Sequence, residues 1–120
     1  MSELAALEAD LNKMILEGKG KEAFEKFYAD DVVMQEPTGD PPRVGKDDCR
    51  KAEDAFYSSI EQFHSAKLLA STVGDGITFS EWIYDFTVKG QPRVALQQVA
   101  RRQWKNGKIV NERFYYHRGG

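Results

Sequence analysis

The sequence is poor in the residues that would place it in several large classes. Cys49 is its single cysteine, so no disulfide can form within the chain. His64 and His117 are its only histidines, and neither has Cys49 or carboxylates at metal-ligand spacing, so no metal or other cofactor is expected. No run of about 18 apolar residues exists, which excludes a spanning helix. Charge of one sign is also lacking: 17 basic residues face 19 acidic ones, for a net of −2. Without a basic field, neither nucleic acid nor an anionic membrane is an expected partner. Arg101, Arg102 and Arg113 interleave with Trp104 and Tyr115, but in such a background strand charges read as solvated. The start, MSELAALEADLNK, lacks the charged-then-apolar plan of a secretory signal, and a cytoplasmic address is expected. Of four prolines, three crowd into Pro37–Pro42 and hold that stretch out of helix.

What is present reads as one domain over residues 1–120. Hydrophobic residues make up 41% and charged residues 30%, a globular balance. A chain of this length buries roughly two-thirds of its unfolded surface, enough for one core. Leu4, Leu7, Leu11 and Met14 recur at steps of three and four and form a helical stripe, which Gly18 and Gly20 end. A short second helix buries Ala23, Phe24, Phe27 and Tyr28. Val32, Val33 and Met34 read as a strand. A third helix is expected from Lys46 to Phe63, with Cys49, Ala52, Phe56, Ile60 and Phe63 inward and Asp47 and Asp48 at its positive end.

From His64 the period changes to strands, punctuated at Gly74-Asp75-Gly76, Lys89-Gly90-Gln91-Pro92 and Lys105-Asn106-Gly107. The expected meander covers 64–73, 77–88, 93–104 and 108–117. Long strands over one face of helices make an α+β domain, its curved antiparallel sheet wrapped around three N-terminal helices. Trp82, Tyr84, Phe86 and Val88 share the inner face of the second strand. Val94, Leu96, Ala100 and Trp104 select the even face of the third and bring Gln98 and Arg102 inward.

The last hairpin needs its turn to fix the register. A three-residue turn, Lys105-Asn106-Gly107, pairs Trp104 with Lys108 and keeps even residues on one face. It sets Phe114 opposite Gln98, Tyr116 opposite Leu96, and Glu112 opposite Ala100 with Arg102 diagonal. Glu112 then projects from an aromatic face, where a carboxylate must be paired or have its pKa raised. Two readings stay open: a structural pair with Arg102, or a group serving a ligand. The aromatic wall likewise reads either as core or as a pocket, and Gln98 and Glu112 on it favour the pocket.

Three helices and a strand followed by a four-strand meander resemble the SnoaL-like, or nuclear-transport-factor-2-like, superfamily. The stretch from Tyr28-Ala29-Asp30-Asp31 through Glu36-Pro37 and Pro41-Pro42 to Gly45 is similar to the ketosteroid isomerase branch, with Gly90-Gln91-Pro92 and Gly107-Lys108-Ile109 continuing it. The resemblance implies a cone-shaped fold and a general base at Glu36, which shares a strand face with Met34. It implies a pocket for a small hydrophobic, carbonyl-bearing molecule, lined by Tyr28, Met34, Phe56, Trp82, Tyr84, Phe86, Gln98, Phe114 and Tyr116. The isomerases' oxyanion donors do not carry over: their positions fall near Asn12 or Lys13, and on Ala100 or Val99. The epoxide hydrolases' charged set falls on Trp82, Tyr84 and Phe114, and the cyclases' acid also falls on Phe114, one inward step from Glu112.

Three functions fit: an acid/base enzyme using Glu36 with Glu112, a ligand-binding module, or an accessory protein whose interior is only core. An interior cavity of about 300 Å³ or more would favour the first two. The outer sheet face, with Ile83, Ile109, Arg113 and Tyr115, is moderately apolar and suits a two-fold homodimer. Light scattering at micromolar concentration is therefore expected to give twice the 13.6 kDa chain mass; a monomer mass would refute the dimer.

Overall fold

A computed structural model describes residues 3–117. Helix α1 runs Glu3–Leu16 and stops before Gly18; α2 runs Gly20–Phe27 and passes directly into β1, Tyr28–Gln35. A short β2, Arg43–Val44, follows the proline-rich turn and leads into α3, Lys46–Ser59. Four long strands complete the chain: β3 Ile60–Val73, β4 Ile77–Val88, β5 Val94–Lys105 and β6 Lys108–Tyr116. They form one open six-stranded sheet in the order β2-β1-β6-β5-β4-β3. No helix is long and apolar enough to cross a membrane.

The α+β architecture and the four-strand meander match the reading of the sequence, with four differences. The sheet is mixed, because β1 runs parallel to β6. Tyr28 opens β1 rather than ending the second helix, since the chain becomes extended there (φ −96°, ψ 135°). The third helix ends at Ser59, not Phe63. Its last turn is closed by the Ser59 hydroxyl on the Phe56 carbonyl (2.6 Å), and Ile60 and Phe63 pair with Val88 and Phe86 across β3 and β4. Ladder bonds to β4 outweigh continued helix there, and Phe56 and Phe63 end up about half exposed, at 45% and 46%.

The fourth difference is the last hairpin. Its turn has two residues, Asn106 and Gly107, both in the left-handed region (φ 54° and 77°), and Lys105 pairs with Lys108. That turn twists with the strands, which a three-residue turn does less well. Face parity is restored by a bulge: Trp104 pairs with Ile109 but Gln103 with Asn111, leaving Val110 as the extra residue. Glu112 therefore lies opposite Arg102, Phe114 opposite Ala100, and Tyr116 opposite Gln98, one inward step from the expected partners.

The helices cover the inner face. Leu11, Ala23, Phe24, Phe27, Val32 and Met34 pack with Cys49, Trp104 and Ile109 into the main apolar core. Gly107→Ala forces a side chain into a left-handed backbone and should lower stability by about 1–2 kcal/mol in denaturant titration. Asn106→Gly should be neutral or better; a cost at Asn106 equal to that at Gly107 would contradict the turn described.

Candidate functional site

Beside the apolar core, the inner face carries a buried polar network centred on Arg102, which is only 2% exposed. Alternation along β5 turns Arg102 inward, between Thr78 on β4 and Glu112 on β6. Its Nε donates to Glu112 Oε2 at 2.8 Å, and its Nη1 donates to Glu8 Oε2 at 2.9 Å and Asn12 Oδ1 at 3.0 Å. The helix α1 thus supplies half of the shell. Thr78 donates to Glu8 Oε1 at 2.8 Å, Ser80 donates to Glu8 Oε2, and Asn12 Nδ2 donates to Ser80 at 2.8 Å. Trp104 Nε1 closes the far end on Thr78 at 2.9 Å. On the other side the Tyr28 hydroxyl sits 2.7 Å from both oxygens of Glu112.

These partners decide the charges. Burial works against the Arg102 cation, but Glu112, Tyr28 and Glu8 outweigh it and raise its pKa. Burial raises the pKa of Glu112, opposed by Arg102 and by the Tyr28 hydroxyl, so the carboxylate is held in place yet kept basic. Burial and then the Glu112 charge push Tyr28 well above the usual phenol range, leaving it a neutral donor.

A cavity of about 90 Å³ lies between this network and the helices. Glu112, Arg102, Tyr28 and Phe114 form its sheet side, and Phe24, Glu53 and Tyr57 its helix side. Tyr57 reaches in because position 20 is glycine: a Cβ there would stand 2.5 Å from the Tyr57 hydroxyl. Among the described residues no hydrogen bond or ion pair holds Glu53. Burial, then repulsion from Glu112 and Asp54, raises its pKa to about 8, with Arg43 opposing. The cavity therefore faces two carboxyl groups in different states, one charged and clamped, one carrying a proton at neutral pH.

The residues expected at a pocket separate into three groups. Tyr28, Glu112 and Phe114 meet at the cavity. Met34 is packed in the core, in register with Glu112. Trp82, Gln98 and Tyr116 form a cross-strand row, with Tyr84 stacked on Trp82 at 5.3 Å, while Phe86 contacts Phe56 and Phe63 further along the face. Glu36 joins the row at its β1 end: the Tyr116 hydroxyl donates to Oε2 at 2.8 Å, and Arg43 lies 3.4 Å from Oε1. Glu36 is not among the residues lining the 90 Å³ cavity. Sequence reasoning missed Glu8, Asn12, Glu53 and Tyr57. Glu8 and Asn12 lie on the helical stripe Leu4-Glu8-Leu11-Ile15, a signal available in the spacing; Glu53 and Tyr57 carry none, since α3 is polar on most of its surface.

The Glu53 shift has a readable consequence. Its folded pKa lies above the ordinary value of 4.5, so its folded form holds more protons than its unfolded form between those values. Stability from this group is complete below pH 4.5 and falls as pH rises towards about 8. Glu53→Gln should flatten that fall and make the protein more stable than wild type near pH 8 in urea titrations. A variant with an unchanged pH slope would show that Glu53 titrates normally.

The chain is similar to several solved structures. A candidate SnoaL-like polyketide cyclase from Mesorhizobium loti is 28% identical, with 97% of this chain and 100% of that one covered and a TM-score of 0.85. An NTF2-like protein of unknown function from Burkholderia pseudomallei is 13% identical over 98% and 92%, with a TM-score of 0.83. A protein of ketosteroid isomerase-like fold from Catenulispora acidiphila, in complex with trimethylamine, is 16% identical over 86% and 79%, with a TM-score of 0.72. No curated protein matches. The SnoaL-like domain model matches residues 4–116, and with that span the chain belongs to the SnoaL-like family.

Proposed function

We propose that this SnoaL-like protein binds a small carbonyl-bearing molecule on the inner face of its sheet and moves a proton on it. The observation that carries this reading is the pair of carboxyl groups lining one cavity in opposite states, Glu112 clamped by Arg102 and Tyr28, Glu53 unpartnered and protonated. Environments that drive two titrating groups apart separate the roles of base and acid. Glu112 accepts a proton from carbon next to the carbonyl, and the electron pair moves onto the carbonyl oxygen. Glu53 then returns a proton to carbon and the oxygen's electrons flow back. The family resemblance supports such chemistry, and so does the candidate polyketide cyclase at 28% identity.

The volume of about 90 Å³ is below the several hundred typical of drug-sized ligands, so it suits compounds of a few heavy atoms. Glu36 remains a second candidate for the base. A specific observation favours keeping it: the Tyr116 hydroxyl holds its carboxylate at 2.8 Å, next to the aromatic row. A homodimer through the outer sheet face is also part of the proposal. Phe79 and Tyr115 support it, since they stand 38% and 47% exposed there.

Deuterium exchange into 2-butanone, followed by NMR, tests the assignment. Wild type should exceed the buffer rate, Glu112→Gln should lose about 10²-fold or more of that excess, and Glu36→Gln should stay within about twofold. Glu53→Gln should slow exchange and remove the loss of activity towards high pH. If Glu36→Gln abolishes exchange while Glu112→Gln keeps it, Glu36 is the base instead.

A further inference from the structure

The inner face holds a donor that nothing in the fold uses. Trp82 is fully buried, with 0% exposure, and its indole N–H meets no acceptor. A buried donor without a partner is unfavourable, and folded proteins retain few of them without a reason. Trp104, the only other tryptophan, shows the ordinary solution: its N–H is spent on Thr78 at 2.9 Å. Trp82 instead lies in register with Leu68 on one side and Gln98 on the other, neither of which takes the proton.

The surroundings of Trp82 point to a ligand rather than to packing alone. Its ring stacks on Tyr84 at 5.3 Å and 13°, and no hydrogen bond holds the Tyr84 hydroxyl among the described residues. Tyr84 in turn has its pKa raised by burial, with Arg102 opposing and Glu112, Tyr57 and Glu53 adding to it, which are all cavity-lining groups. Gln98, opposite Trp82, is two residues along β5 from Ala100, whose methyl occupies the inner position paired with Phe114. Two idle donors and an amide thus flank the carboxyl pair.

We infer that the Trp82 indole N–H, assisted by the Tyr84 hydroxyl, is the group that holds the carbonyl oxygen of the ligand. The substrate class is then a small ketone or related acyl compound with one acceptor oxygen, its oxygen on the Trp82 side and its acidic carbon towards Glu112. This rests on the proton-transfer reading above and supplies what that reading otherwise lacks, a donor for the oxygen on which negative charge develops. An N–H aimed there would strengthen its bond as charge accumulates, without reorganising.

Proton–nitrogen NMR of the indole groups tests this with an internal control, because the protein has two tryptophans. On titration with 2-butanone the Trp82 indole proton should shift downfield and saturate, while that of Trp104 stays fixed. Replacing Trp82 by 3-benzothienylalanine keeps the ring shape and removes the N–H; the variant should melt no lower than wild type and bind 2-butanone about two- to tenfold more weakly. If the methyl groups of Leu11 and Ile15 respond to the ketone while the Trp82 proton does not, or if the variant binds equally well, the Trp82 assignment is overturned and the proton-transfer reading stands. If no resonance at the cavity responds, both are overturned.

Discussion

Arg102 is a guanidinium buried among three segments that are distant in sequence, and the interior is arranged around keeping it charged. It donates to Glu8 and Asn12 of the first helix and to Glu112 of the last strand. An isolated charge at this depth would be prohibitive, and a pair of buried charges roughly breaks even only when every remaining polar atom is satisfied. That condition is met by Thr78, Ser80, Tyr28 and Trp104, each of which spends a donor on the cluster. The network therefore fixes where α1 crosses the sheet. It also fixes which way Glu112 points.

The functional arrangement follows from that geometry. With one guanidinium shared by two carboxylates, the interior has more acid than base before Glu53 is added. Glu112 takes the strong donors and stays ionised, so Glu53, with none, keeps its proton up to about pH 8. Tyr57 and Phe24 close the helix side, with glycine at position 20 making room for the Tyr57 hydroxyl. What remains is a compact polar cavity, not the large aromatic pocket that the row Trp82, Tyr84 and Phe86 suggests.

The sequence made the inner face legible and left its depth hidden. Alternation on β4 and β5 identified Trp82, Tyr84, Gln98 and Arg102 as inward, and Glu112 as a carboxylate on an aromatic face. The Arg102–Glu112 pair was one of the two readings that alternation left open, and it is formed. The register was displaced by one inward step because the bulge at Val110 has no marker in sequence, while Asn106-Gly107 permits turns of either length. Helix α3 was drawn too long since Ile60 and Phe63 fit its apolar spacing; pairing with β4, a long-range contact, decides that end. Glu8 and Asn12 were passed over because polar residues on a helix are usually solvated, and only the position of Arg102 across 94 and 90 residues gives them a reason to be buried.

The most direct measurement on this account is the unfolding free energy of Arg102→Met. Removing the cation leaves Glu8 and Glu112 buried without their partner, and a loss of about 3–5 kcal/mol is predicted, largely restored by adding Glu8→Gln and Glu112→Gln. A single variant within about 1 kcal/mol of wild type would contradict the claim that Arg102 organises the interior.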